Sequence, residues 1–299
     1  MSKVLKTKSK RKLLTILLIL ITAFSGGGMV PLVKIGLKQL PSFSYSFLRF
    51  AIALICILPF LKKEKISIYK DLKLIFSTVI FATINILLFI FAIPYTSANL
   101  GQLVYVAVPI IVSIIAYFTI AEKITIKKFI GIIFGVLGCA ILILLNPVHG
   151  YSFVSNAFGG LFIIAAAISF SFYITLSKKI QNKVTPLKIS FYFILVTTIF
   201  SFLFSFKELD AIVRVLSEIN FMTLISLFIV GSIGTTFYYL LQQYVIYIGT
   251  ATNSAAINLI QPIFTYFWAN LLLGEEVGLY FYISAFLILS GSYFIISET

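Results

Sequence analysis

The sequence has little charge and few of the side chains that enzymes use for catalysis. Charged residues make up 11% of the 299 residues and hydrophobic residues 61%, whereas soluble domains carry about 25% charged residues. The sequence has one histidine, His149, and two cysteines, Cys56 and Cys139, and neither cysteine has a CxxC partner or a metal-ligand spacing. It contains no H-E-x-x-H, Walker or G-x-S-x-G motif. These absences argue against a soluble protein and a membrane enzyme, and we expect no metal or cofactor.

Long stretches without any charge fill most of the chain. A helix needs about 20 apolar residues to cross a bilayer, and these stretches do not alternate in polarity as barrel strands do. Two of them, residues 74–121 and 219–274, are too long for one helix, and Pro94–Ser97 and Gly249–Thr252 supply turn residues inside them. The sequence therefore predicts an all-α integral membrane protein with ten transmembrane helices. The predicted spans are 13–35, 42–61, 73–93, 98–120, 128–145, 157–177, 187–206, 221–247, 252–273 and 277–296.

The basic residues predict how the chain is oriented. Of 23 lysines and arginines, 18 fall in the tail (residues 1–12) and in the loops after the second, fourth and sixth spans. Four fall in the other loops, and Arg49 lies within the second span. Cytoplasmic loops are enriched in basic residues, so we predict a multi-pass plasma-membrane protein with both termini in the cytoplasm. Topology accounts for the net charge of +14, and we expect no nucleic-acid partner.

The basic start followed by Leu13–Phe24 resembles a signal peptide. The apolar run continues to Val33, however, which is long enough to span the bilayer. We therefore expect an uncleaved first helix.

A shift of 153 residues brings rare residues of the two halves into register. The pairs are Ala98 with Ala251, Pro109 with Pro262, Glu122 with Glu275, and Gly138 with Gly291. The spacing predicts two five-helix repeats, over residues 13–146 and 157–296. A repeat with an odd number of helices enters the membrane from opposite sides, so the halves are predicted to be inverted. Inverted repeats are a common basis for alternating access around a midplane site.

These residues resemble a known family. Ala121-Glu122-Lys123 followed by Gly131, Gly135 and Gly138, together with Leu48-Arg49-Phe50, is similar to the EamA-type half of the drug/metabolite transporter superfamily. The resemblance implies two inverted repeats around a central cavity, and transport of small metabolites, often amino acids or related compounds. The second half departs from the pattern, because Phe193 stands roughly where the first half has Arg49.

Polar residues within the predicted helices are candidates for lining the cavity, because polar groups at lipid depth usually face an interior. One stripe on the fourth span and one on the ninth each include a proline, and Pro109 and Pro262 are hinge candidates. The cavity candidates are Ser25, Asn85, Gln102, Tyr105, Ser113, Ser169, Tyr173, Tyr238, Gln242, Asn258, Gln261, Thr265 and Trp268. The alternative is that these side chains join helices to one another.

The charged candidates have several interpretations. Arg49 would bind a carboxylate or phosphate, or it would cap carbonyls or reach the headgroups, and the second interpretation is favoured. Glu122 and Glu275 begin loops that are predicted to lie on opposite faces, where they would form a gating ion pair, interact with a helix end or be solvated. Gly131, Gly135 and Gly138 form a small-residue face suited to packing within the chain or in a homodimer.

Together these features predict a secondary transporter for a small-molecule substrate, which exports amino acids or related compounds by alternating access. No carboxylate falls at mid-depth in any predicted span, so no relay of acidic side chains for protons is evident. One alternative is a nucleotide-sugar or sugar-phosphate exchanger of the same superfamily, which would need several basic groups facing the cavity. The other is a membrane assembly or sensor protein that transports nothing.

Overall fold

The described part of the chain is helical. The computed structural model describes residues 8–62, 71–95, 104–145, 157–208, 219–273 and 279–297, and these ranges contain no strand. We number the helical segments in chain order. They are α1 (Lys8–Gly27 and Met29–Leu37), α2 (Ser42–Leu61), α3 (Leu72–Ala92), α4 (Val104–Ile120), α5 (Ile126–Leu145), α6 (Ala157–Ile180), α7 (Pro186–Ser205), α8 (Phe221–Ile248), α9 (Ala251–Ala255 and Ile257–Leu273) and α10 (Leu279–Ser297).

The helices have the length and surface of membrane spans. Within the described ranges, α1, α2, α3, α6, α7, α8 and α10 are long and apolar enough to cross a bilayer, and α4 is shorter. Large apolar side chains cover the exterior, among them Phe118 and Ile126, which are 79% and 78% exposed. A soluble monomer rarely exposes large apolar patches. The prediction of an all-α membrane protein is confirmed.

The structure describes one of the two predicted turns fully and the other in part. The chain turns at Gly249 and Thr250, where the Thr250 hydroxyl accepts a hydrogen bond from the backbone N–H of Asn253 and caps α9. A short 3₁₀ segment, Ile93–Tyr95, follows α3 at the other turn. The rest of that predicted turn, residues 96 and 97, lies outside the described residues.

Two helices approach each other closely through glycine. The Cα of Gly291 in α10 faces the backbone of α5, where a Cβ would lie 2.4 Å from the carbonyl oxygen of Gly131 and 2.6 Å from the nitrogen of Gly135. Gly138 faces Ser284 and Ile288 further along the same antiparallel pair. The small-residue face of α5 is therefore used within the chain.

Several helices depart from regular α-geometry. The segment Val230–Phe237 of α8 is π-helical and packs against α2, where Gly231 approaches the carbonyl of Arg49. The Thr236 hydroxyl there donates to the carbonyl of Ala53 at 3.1 Å. Because π-helical turns often accompany functional sites, α8 is a natural place to search for one.

The break in α1 follows three consecutive glycines. The indole N–H of Trp268 donates to the carbonyl of Phe24 at 3.1 Å, and the ring of Phe24 packs against Phe264 and Trp268. A Cβ on Gly27 would lie 2.7 Å from the backbone of Phe264. Glycine thus lets α1 bend while α9 covers the carbonyls that the bend exposes.

The contact at Gly291 predicts a clear effect of adding one methyl group. We expect Gly291→Ala to lower the free energy of unfolding by about 1–3 kcal/mol, since backbone atoms of α5 cannot move aside as a side chain would. The measurement is the melting temperature of the purified protein in detergent. Leu289→Ala on the exposed face of α10 is the control, and equal melting of the two variants would refute the packing argument.

Candidate functional site

Four tyrosines converge with an arginine between the helices. Tyr239 of α8 contacts Tyr238, and Phe193 joins it to Tyr173 of α6. Phe170 joins Tyr173 to Tyr105 of α4. Arg49 of α2 enters the cluster through Phe50, which contacts both its guanidinium and Phe193. The interior therefore gathers polar aromatic groups from helices that belong to both halves of the chain.

Side-chain amides hold three of these tyrosines. The Asn85 amide donates to the Tyr105 hydroxyl and, at 2.9 Å, to the carbonyl of Ala166. The Gln243 amide donates to the Tyr173 hydroxyl at 2.7 Å.

The third of these tyrosines is linked to α9. The Tyr238 hydroxyl donates to the Gln261 carbonyl oxygen at 3.3 Å. Buried hydroxyls need such partners, so these bonds fix the three rings.

The tyrosines belong to a continuous aromatic wall. Phe193 contacts Phe50 with a centroid distance of 5.6 Å, Tyr173 at 5.6 Å and Tyr239 at 4.5 Å. Tyr239 in turn contacts Tyr238 at 5.1 Å. Edge-to-face and tilted arrangements of this kind stabilise aromatic clusters. The wall offers apolar faces beside the hydroxyls.

Arg49 and Tyr239 differ from the other members of this group. Both are half-buried, and neither the guanidinium nor the Tyr239 hydroxyl makes a hydrogen bond to any described residue. The Nε of Arg49 is buried without a partner, and the guanidinium carbon lies 4.9 Å from the centroid of the Phe50 ring. The interpretation that Arg49 caps carbonyls therefore finds no support among the described residues.

The structure gives the other predicted cavity residues more local roles. Gln261 and Trp268 contact the bend in α1, and the Thr265 hydroxyl donates to the carbonyl of Gln261 at 3.2 Å. Ser25 and Asn258 donate to carbonyls three residues earlier in their own helices. These contacts are of the kind that joins or completes helices.

Serines of α4 and α6 also bond to neighbouring backbone. The Ser113 hydroxyl donates to the carbonyl of Pro109 at 2.8 Å and lies 3.4 Å from the Thr252 hydroxyl of α9. The Ser169 hydroxyl donates to the carbonyl of Phe81 at 2.7 Å, which joins α6 to α3. Gln242 is fully buried, and both polar atoms of its side chain lack partners.

The predicted hinge prolines sit differently in their helices. Pro109 stands in the first turn after the irregular residue Ala107, where its missing N–H costs little. Pro262 lies inside α9, which is interrupted earlier, at Ala256. Gln102 and Glu275 lie outside the described residues.

Tyr239, Gln243 and Phe193 were missed as candidates for the site. The sequence Tyr238-Tyr239-Leu-Leu-Gln242-Gln243 carries two polar faces, since residues four apart share a face of a helix. Only the face with Tyr238 and Gln242 is among the predicted cavity residues. The repeated Tyr and Gln indicate that the second face, with Tyr239 and Gln243, is polar too.

Glu122 forms a separate charged site where α4 ends. Ala121 adopts a left-handed conformation with φ 53°, which ends the helix and places Glu122 over the start of α9. The backbone N–H groups of Ala251 and Thr252 donate to its carboxylate at 3.1 and 3.3 Å. Lys128 of α5 completes the site with an ion pair at 3.0 Å.

Opposing effects act on the pKa of Glu122. Burial alone would raise it, but the Lys128 ammonium and the hydroxyls of Thr252 and Thr250 outweigh burial and hold the pKa below its usual value of 4.5. Positive charge and the N-terminal end of a helix both favour a carboxylate. Glu122 is therefore ionised at neutral pH while these contacts last.

Cations cover the carbonyls at the end of α8. The Lys178 ammonium accordingly donates to the carbonyls of Ile246 and Gly249 at 2.8 and 2.7 Å. Arg11 of α1 donates to the carbonyl of Ile248. Positive groups suit the C-terminal end of a helix. Together with Glu122, they tie α1, α4, α5 and α6 to the turn between α8 and α9.

Comparisons with known proteins agree with this architecture. A model of the EamA-like transporter family matches residues 13–144 and again residues 157–297. An uncharacterized transporter of Archaeoglobus fulgidus is 25% identical over 270 residues, which cover 89% of this chain and 92% of that protein. The uncharacterized transporter YetK of Bacillus subtilis is 26% identical over 185 residues, 60% of this chain and 54% of that protein. A crystal structure of a protein with 16% identity has a TM-score of 0.75 over 96% of each chain, which is a likeness of fold alone.

The Glu122 site predicts a specific dependence of stability on pH. Because its pKa is lowered, its contribution is present above pH 4.5 and is lost as the pH falls through the lowered value. We expect Glu122→Gln to reduce stability at pH 7 by about 1–2 kcal/mol. Melting temperatures of variant and wild type should converge as the pH falls.

Asp71→Asn provides the control for this experiment. Asp71 precedes α3 but its side chain does not cap that helix. A melting difference between Glu122→Gln and wild type that stays constant as the pH falls from 7 to below the lowered pKa of Glu122 would contradict the assignment.

Proposed function

Since the chain belongs to the EamA-like transporter family, and is therefore a multi-pass small-molecule transporter, we propose that it exports amino acids or related metabolites by alternating access. The observation that carries the proposal is the interior group around Tyr239. Hydroxyls, amides and aromatic faces converge there from helices of both matched stretches. Such a lining suits a small amphipathic molecule, because binding sites combine apolar walls with a few placed polar groups.

An inverted repeat is the proposed basis of the two access states. The family matches divide the chain almost where the repeat predicts, near residues 13–146 and 157–296. The helix packing supports a repeat in which each helix of the first half corresponds to the helix five places later. Pairs of helices in contact should then correspond to other pairs in contact. The α1–α9 contact then corresponds to α6–α4, the α2–α8 contact to α7–α3, and the α5–α10 and α2–α7 contacts to themselves.

Alternating access requires α4 and α9 to part at one end at a time. Both helices are interrupted, at Ala107 and Ala256, so that their ends can move separately from their middles. The Glu122 site joins their ends on the side that the basic residues predict to be cytoplasmic. We propose that the Glu122 site holds α4 and α9 together at the cytoplasmic entrance. We also propose that both chain termini lie on that side of the plasma membrane.

Reconstituted protein should move amino acids. Purified protein in liposomes loaded with one labelled amino acid at a time should release at least one of them faster than protein-free liposomes do. Detergent-extracted protein from the same preparation must elute as a single folded species. A folded protein that moves no member of a broad amino-acid and metabolite panel would overturn the proposed function.

A reversible cross-link tests the alternating-access step. The hydroxyls of Ser113 and Thr252 lie 3.4 Å apart, so cysteines at these two positions would face each other between α4 and α9. We expect Ser113→Cys with Thr252→Cys, in a background with Cys56 and Cys139 replaced by serine, to lose transport on oxidation. The same sample should regain it on reduction, which serves as the internal control. Full transport by the oxidised protein would exclude separation of α4 and α9.

A further inference from the structure

The guanidinium of Arg49 has no counter-charge within the described structure. By sequence, all nine acidic residues lie outside the predicted spans. Glu208, which follows α7 near the start of α2, uses both carboxylate oxygens on Phe43 and Ser44, with distances of 2.6–3.4 Å. An unpaired charge at this depth is costly and usually marks a functional group. The missing partner is therefore to be sought in a ligand.

The surroundings of Arg49 suit a ligand with a planar anion. Arg49 is the eighth residue of α2, about 10 Å along the helix from Ser42, and Phe50 lies against its guanidinium. Tyr239 supplies a second donor, since its half-buried hydroxyl makes no hydrogen bond to a described residue. The π-helical segment ends at Phe237, two residues before Tyr239, and packs on the backbone of Arg49.

We infer that Arg49 and Tyr239 bind the carboxylate of the transported substrate, so that the protein selects small monocarboxylates, amino acids among them. This inference rests on the proposed function. A guanidinium binds a carboxylate through two parallel N–H donors, and the Tyr239 hydroxyl donates to it as well. The aromatic wall around Phe193 then receives the rest of the molecule.

The charge of the site favours one carboxylate over phosphate. Phe193, which stands roughly where the first half has Arg49, is fully buried and contacts Tyr239 from α7. The first half thus contributes a cation that lies against Phe50, and the second half an apolar ring that contacts both Phe50 and Tyr239. A single positive charge neutralises a carboxylate, whereas a phosphate carries nearly two negative charges at neutral pH.

Binding measured without transport tests this site directly. Purified protein in detergent is melted with amino acids and simple monocarboxylic acids, each paired with its neutral-carboxyl amide. We expect at least one acid to raise the melting temperature and its amide to bind at least about tenfold more weakly. We expect the same loss of affinity for the acid in Arg49→Gln, and a smaller loss in Tyr239→Phe.

Controls separate a lost contact from a lost fold. Lys38→Gln removes one exposed positive charge and should bind the acid as wild type does. Arg49→Lys keeps the charge without the paired donors and should bind at an intermediate level, which preserves the test should Arg49→Gln fail to fold. Absence of stabilisation by every acid, equal binding of acid and amide, or unchanged affinity in the Arg49 variants would each overturn the inference.

Liposome efflux distinguishes this failure from failure of the proposed function. Acids that bind through Arg49 but are not moved would leave the site standing and refute export. Transport of acid and amide at equal rates, unchanged by Arg49→Gln, would leave transport standing and refute the carboxylate site.

Discussion

In a bilayer, every backbone N–H and C=O must find a partner within the protein, and this constraint governs where the chain can bend. The bend in α1 exposes carbonyls that Trp268 and Gln261 cover from α9. The end of α8 exposes carbonyls that Lys178 covers from α6. Each irregular element therefore depends on a neighbouring helix, which for the bend in α1 belongs to the other half. If one helix moves, its neighbour must move with it or lose the hydrogen bonds to the exposed carbonyls.

The same constraint explains why polar side chains alone are poor markers of a binding site here. A serine at lipid depth can satisfy its hydroxyl on the carbonyl one turn earlier, as Ser113 does on Pro109. Tyr105 and Tyr173 are satisfied by amides. An interior polar group without a hydrogen-bond partner is a better indicator of a binding site than one that has a partner. That criterion selects Arg49, Tyr239 and Gln242 from the polar residues of the site, and of these three Arg49 carries the charge.

The sequence predicts the fold more completely than it predicts the site. Apolar runs, turn residues and small residues such as Gly131 and Gly138 indicate where helices turn and pack, because membrane helices obey strong constraints of length and close approach. The turn at Gly249 was predicted for this reason. The π-helical segment of α8 was not predicted. No residue type in positions 230–237 shows whether the backbone hydrogen bonds span five residues, as in a π-helix, or four, as in an α-helix.

The site depends on that segment and on contacts between distant parts of the chain, which a single sequence does not specify. Helical phase places Tyr238 and Gln242 on one face, but it does not predict that the neighbouring face, with Tyr239, packs against Phe193 in the aromatic cluster that includes Phe50 beside Arg49. The second half has Phe193 roughly where the first half has Arg49, and Phe50 contacts both side chains. In the proposed mechanism, similar halves give two related arrangements of helices, and Arg49, a charge that Phe193 does not match, supplies the proposed contact with the substrate.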